Sequence, residues 1–237
     1  MSTTIILPNV RLSHPHLFVA QPPQAGSTSG PKFDGSFLFP LGSEQDKVAQ
    51  QAFIAEAQKT FGANFQTIVG AMDKGKKCLR NGDQKLTKEG KVSDGYAGMR
   101  FLVAKNKMRP IVIAKRFFNG KPVHLDELGN TFVDGQKVDV GFPVKVPYGG
   151  CYVNAKVEVY AMNKPGLQGI YATLLAVQFH EDGSSFGGGA APTADGFEEG
   201  EDGGGDYSAG AASGFAGSDA FGGAPANTAP PAVNLFG

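Results

Sequence analysis

The sequence predicts a mainly β body with one inserted helical pair, followed by a disordered tail. Three observations lead there. Short stretches of alternating apolar residues lie on both sides of a single helical block. This order of strands, helices and strands favours an α+β fold, or a β-barrel with a helical insertion, over an alternating parallel sheet. Second, residues 183–237 are dominated by Gly, Ala, Ser and Asp, hold no Lys or Arg and show no apolar period. Such a segment cannot bury enough surface to offset its ordering entropy. Third, the charge is divided. All 22 Lys and Arg fall between Arg11 and Lys164, whereas 9 of the 22 Asp and Glu fall between Glu181 and Asp219. The net charge of zero is therefore +9 over residues 1–180 cancelled by −9 over residues 181–237. The expected organisation is a folded domain over 1–182 and an acidic, Gly-rich tail over 183–237.

The body opens with a β-rich stretch, Thr3–Leu12, in which Pro8 predicts an edge position or a break. Gln21–Pro31 is rich in Pro, Gly and Ser and reads as a loop. Phe33–Leu41 alternates Phe33, Gly35, Phe37 and Phe39 against Asp34, Ser36 and Leu38, a strand pattern. A helix follows. Ser43 with Asp46 forms its capping-box-like start, Val48, Ala52, Phe53 and Ala55 form its apolar stripe, and Gly62 fits its stop. A shorter helix is predicted from Phe65, Ile68, Val69 and Met72. Lys74–Lys91 is polar, Gly-dotted and basic, and is expected to loop out. Strands are predicted at Met99–Ala104, Pro110–Lys115 and Val144–Val146, with a tight turn at Asn119-Gly120. Cys151–Ala161 and Gly169–Phe179 flank a turn containing Asn163, Pro165 and Gly166, and so predict a long hairpin.

The densest positive region is Lys74–Lys121, with 14 Lys and Arg against Asp83, Glu89 and Asp94. Tyr96, Phe101, Phe117 and Phe118 are interleaved. Cations that track phosphates and rings that stack on bases are what a single-strand binder needs. A solvated basic face over core aromatics would give the same pattern. Arg100 and Leu102 lie on one face of their strand and Phe101 and Val103 on the other, and one of these faces is core. In the tail, Glu198, Glu199, Glu201 and Asp202 lie between Phe197 and Tyr207. That chain of carboxylates and rings is chemically like a single nucleic-acid strand. It could occupy a basic groove until ligand displaces it, leaving Leu235 and Phe236 to dock on a partner.

Other chemistries find little support. His14 and His16 lack the further ligands a metal site needs. Cys78, beside Lys76, Lys77 and Arg80, has the neighbours that lower a thiol pKa but no general base. The two cysteines form no C-x-x-C pair, and a reducing compartment is expected. There is no phosphate loop, nucleophile elbow, signal peptide or membrane-length apolar run. No cofactor or enzyme activity is expected, and the chain is expected to act in the cytoplasm without a membrane.

The run Asn9-Val10-Arg11-Leu12-Ser13-His14-Pro15-His16-Leu17-Phe18 resembles the opening of phage-encoded single-stranded DNA-binding proteins of the OB-fold type with an acidic tail. Phe33–Pro40, Leu79–Asp83, Gly95–Gly98 and Tyr148–Ala155 are similar to family segments in the same order. So are Tyr160–Asn163, Gly169-Ile170 and Val177–Phe179. The resemblance covers most of residues 5–183. It implies a five-stranded OB barrel and sequence-tolerant binding of single-stranded DNA. It also implies a tail that recruits replication or recombination proteins, in the host cytoplasm, and leaves a homodimer open. The candidate DNA contacts are Lys76, Lys77, Arg80, Tyr96, Arg100, Phe101, Lys105, Lys107, Arg109, Lys115, Arg116, Phe117, Tyr148 and Tyr152. Leu235 and Phe236 are the candidate partner contacts. An RNA- or duplex-binding regulator, an assembly protein and a nuclease without a legible site stay open as alternatives.

Overall fold

The computed structural model of the chain describes residues 2–23 and 30–186. The tail from residue 187, with Leu235 and Phe236, lies outside them. The described chain forms a ten-stranded sheet that curls into a barrel, with the helices inserted after its second strand. Strand β1 (Thr3–Gln21) pairs antiparallel with β2 (Lys32–Pro40) and, on its other side, with β9 (Tyr152–Met162). Helices α1 (Glu44–Phe61) and α2 (Phe65–Ala71) come next, then the short β3 (Leu79–Asn81) and β4 (Met99–Asn106). Four short strands follow: β5 (Ile111–Ile113), β6 (His124–Leu125), β7 (Thr131–Val133) and β8 (Gln136–Lys137). The long hairpin β9 (Tyr152–Met162) and β10 (Gly169–Glu181) ends the body.

Strand order runs β3-β4-β2-β1-β9-β10-β5-β6-β7-β8. Cys78 closes the barrel. Its N–H donates to Ile170 O of β10 and its carbonyl accepts from Val103 N of β4, both at 2.8 Å. The five long strands β1, β2, β4, β9 and β10 thus form an OB-type barrel. β5 to β8 extend the sheet beyond β10 as an arm. The barrel interior holds the row Leu12, Phe37, Leu102 and Leu79, directly paired across four strands and fully buried. Each such side chain contributes about 1.5–3 kcal/mol on leaving water.

Several sequence expectations are met and several are corrected. Pro8 and Asn9 form a β-bulge where the β1–β9 register shifts, with Asn9 at φ 50°. The bulge is how a proline survives in a central strand. β1 nevertheless continues past Leu12 to Gln21, through a second irregularity at His14 (φ 49°). Ser43 Oγ caps α1 by accepting from Asp46 N at 3.2 Å. The buried face of α1, however, is Ala49, Ala52, Phe53, Glu56, Ala57 and Phe61, and Val48 and Ala55 are exposed. Glu56 disguises that face because a buried carboxylate reads as polar; Thr3 Oγ1 donates to it at 2.7 Å. Lys74–Lys91 loops out only in part, since Lys77, Cys78 and Leu79 are buried in the barrel seam while residues 86–91 are exposed. Val144–Val146 is not a strand. Asn119 and Gly120 both have positive φ and join Phe118 to Lys121 in a two-residue turn.

Candidate nucleic-acid interface

Directly paired residues share a face of a sheet, so the register writes out the barrel's outer surface. One row runs Tyr152–Arg11–Leu38–Phe101–Arg80 across β9, β1, β2, β4 and β3. The next is Ser13–Ser36–Val103, and beyond it lie His16, Asp34 and Lys105. Arg100, Leu102 and Ala104 point the other way, and the latter two are fully buried in the core.

Two adjoining hollows are sunk over these rows. The first, about 420 Å³, is lined by Lys74, Lys77, Arg80, Lys85 and Lys105 around Phe101 and Val103, with Asp34 and Ser36 at one side. The second, about 630 Å³, shares Lys77, Arg80, Val103 and Lys105 and adds Lys32, Lys107, Tyr160 and Tyr171. Together they make one groove. Among its lining residues Asp34 is the only carboxylate, and it already faces His16 Nδ1 at 2.6 Å and Lys105 Nζ at 3.6 Å. Seven cations against one answered carboxylate leave a strongly positive channel.

Rings and cations are interlocked in the groove. Arg80 lies 6.0 Å over the Phe101 ring and donates from Nε to Lys77 O at 2.7 Å. Burial lowers the pKa of the Arg80 guanidinium. Burial, helped by Lys74, lowers that of the Lys77 ammonium. Tyr160 and Tyr171, directly paired on β9 and β10, hold their rings 5.8 Å apart at the far end. A hydrogen-bonded chain fixes the loop above the sheet. Lys85 Nζ donates to Tyr96 Oη at 2.8 Å, Tyr96 Oη donates to Ser13 Oγ at 2.9 Å, and Ser13 Oγ lies 2.6 Å from His14 Nδ1. Burial, then the charge of Lys85, lowers the His14 pKa and favours the neutral ring that can accept there.

The structure brings Lys77, Arg80, Phe101, Lys105 and Lys107 together in the groove. It does not bring the other candidates there. Tyr96 is only 1% exposed, in a small cluster with Leu38 and Phe101 under Phe186, and lines neither hollow. Arg100 Nε meets buried Asp46 Oδ1 at 2.5 Å, on the core side of β4. Lys76 Nζ donates to Gly166 O at 2.9 Å in the β9–β10 turn. Arg109 stacks 4.9 Å over Phe18. Lys115 and Arg116 border a separate cleft with Phe142 and Phe179, where Arg116 sits 4.7 Å over Phe142. Phe117 is 54% exposed and lines none of these hollows. Tyr148 Oη lies 3.1 Å from Asp182 Oδ1 and from Gly183 O, and Tyr152 packs beside Gly183. Both tyrosines hold the root of the tail rather than the groove. His16 Nδ1 faces Asp34 and His14 Nδ1 faces Ser13, so the two imidazoles have different partners. Burial, against the pull of Arg80, pushes the Cys78 thiol up to about 12, which removes the idea of an activated cysteine.

Sequence reading missed Lys32, Lys74, Lys85, Tyr160 and Tyr171 as groove residues, and Arg11 as the residue that clamps residues 184–186. The tyrosines carried a usable signal, because period-two alternation on the last hairpin sets both on the face opposite the buried valines.

A family model described as the ssDNA-binding protein of Enterobacter phage Enc34 matches residues 3–207. The chain belongs to this family. A relative, protein p50 of Acyrthosiphon pisum secondary endosymbiont phage 1, is 34% identical over 201 residues, covering 82% of this chain and 92% of that protein. Among solved structures, the single-stranded DNA-binding protein of bacteriophage Enc34 in complex with ssDNA matches this family member with a TM-score of 0.52. The match has 19% identity over 78% of this chain and 89% of that one. A C-terminal truncation of the same phage protein matches with a TM-score of 0.50 at 18% identity, over 77% and 88% of the two chains. These likenesses show that the Enc34 fold is shared.

Proposed function

We infer that this chain is a phage single-stranded DNA-binding protein that takes its strand, without regard to sequence, along the groove over β3, β4 and β10. One observation carries the reading: seven cations and the rings of Tyr160 and Tyr171 line a continuous channel, floored by the buried Phe101, with a single, already paired carboxylate. Phosphates neutralise the cations while rings stack on bases of any identity. Family membership supports the same ligand. A gel shift comparing oligo-dT, duplex DNA and RNA tests it, with preference for the DNA single strand expected. Equal binding to the duplex would favour a general polyanion binder.

The role extends to replication, recombination or repair in the host cytoplasm, with the acidic tail competing for the groove and recruiting enzymes through Leu235 and Phe236. The charge asymmetry of the sequence supports this part. Truncation after Asp182 is expected to tighten oligo-dT binding, and unchanged affinity would remove the competition. A homodimer belongs to the same reading, and a monomer mass by light scattering at every concentration would exclude it.

A further inference from the structure

The first residues beyond the body are held down by an arrangement suited to a flat ring and a nearby oxyanion. Arg11 Nη2 donates to Ser184 O at 2.7 Å and to Ser184 Oγ at 3.0 Å. The same guanidinium lies 4.1 Å over the ring of Phe186. Ring and guanidinium both meet Gly95, where an added Cβ would come within 2.4 Å of a Phe186 ring carbon and 3.0 Å of Arg11 Nη1. Gly95 has φ +73°, so both the backbone and the contact demand glycine there. Tyr96 closes the slot, its ring 6.3 Å from that of Phe186. The slot opens on the ligand face of the barrel. Arg11 is in direct register with Leu38 and, through it, with Phe101 of the groove. Two strand spacings, about 10 Å, separate Arg11 from Phe101.

Resting on the single-strand reading above, we propose that the slot formed by Arg11, Gly95 and Tyr96 is a nucleobase subsite, and that Phe186 is its internal occupant, displaced when a strand binds. A guanidinium plane, a bare glycine Cα and a tyrosine ring recognise any flat π surface, so they accept a base of any identity. The two Arg11 donors now spent on Ser184 would pass to a phosphate of the same nucleotide. The step is an exchange of one stacked ring and one oxygen pair for another. The seat is therefore emptied by DNA itself, independently of the acidic residues further along the tail.

The chain has no tryptophan, so Phe186→Trp places a sole indole in the slot. In full-length F186W, saturating oligo-dT is expected to shift the emission to the red as the ring leaves. Unshifted emission, quenched or not, would overturn the proposal. Should the indole already emit as an exposed one in the free protein, two affinities decide. Phe186→Ala is expected to tighten oligo-dT binding about threefold or more, with the acidic tail intact. Arg11→Ala is expected to weaken it about tenfold, the scale of one lost base stack, and to abolish any further gain from F186A. Equal affinity of F186A and wild type, at matched melting temperatures, would make Phe186 a mere anchor. Failure of the wild type to bind oligo-dT at all would instead sink the single-strand reading.

Discussion

The groove and the β5–β8 arm draw on the same run of basic sequence, yet the fold uses their charges differently. In the groove, Lys74, Lys77, Arg80, Lys85 and Lys105 converge on two hollows with Asp34 as their one lining carboxylate. On the arm and beside it, Lys121 meets Asp134 at 2.5 Å, Lys145 is bonded to Asp182, and Arg116 lies over Phe142. A count of Lys and Arg along the chain treats these alike. Phosphate attraction depends on the field that remains after neighbouring acids are subtracted, and that field is concentrated in the groove.

The comparison can be broken or sharpened by experiment. Arg100 is the limiting case, a candidate DNA contact answered by a buried partner. Arg100→Ala is expected to cost about 3 kcal/mol or more of stability, because it strands Asp46 in the interior. Its affinity for a single strand should stay within about twofold. Urea unfolding and a fluorescence titration check the two halves; a large affinity loss in a normally stable variant would put Arg100 in the interface. For the groove, neutralising about four phosphates predicts a fall in affinity of roughly 50-fold for a fourfold rise in salt. A flat salt curve would remove the electrostatic channel. Tyr171→Ala is expected to weaken oligo-dT binding about tenfold by losing one stacking platform, measured by anisotropy at fixed salt. Lys121→Ala, on the arm, is expected to change the same affinity by less than about twofold, since an exposed cation already paired with Asp134 contributes little. A loss as large as that of Lys105→Ala would erase the distinction between the regions.

The smallest effect concerns Cys78 and Cys151, held up to about 12 and about 11 by burial. Both thiols should stay protonated and resist alkylation at pH 8, and react once urea exposes them. Folding raises the Cys78 pKa above its usual 9.0, so the protonated thiol favours the native state below that pH. Its contribution fades as pH rises from there toward about 12.

The candidate site was half legible in the sequence. Phe101, Arg80 and Lys105 could be picked out because basic and aromatic residues crowd together between Lys74 and Lys121. Tyr96 and Arg100 came with them and proved to be a buried ring and a core-side cation. Alternation along a strand separates two faces without saying which is inner, and the register with Phe37 and Phe39 settles that. Alternation shows the outward face of Tyr160 and Tyr171 but not the groove they join, because the cations they serve lie about 50–140 positions earlier in the chain.

The sequence by itself determined the long strands, the capped helix, the last hairpin and the division between a basic body and an acidic tail. These rest on local periodicity, turn chemistry and charge, which act between residues a few positions apart. Only the tertiary structure decided that Cys78 closes the barrel, that the basic middle splits between a groove and an arm, and that Phe186 sits under Arg11. Each depends on contacts between distant strands, where burial and register, rather than composition, choose the partner.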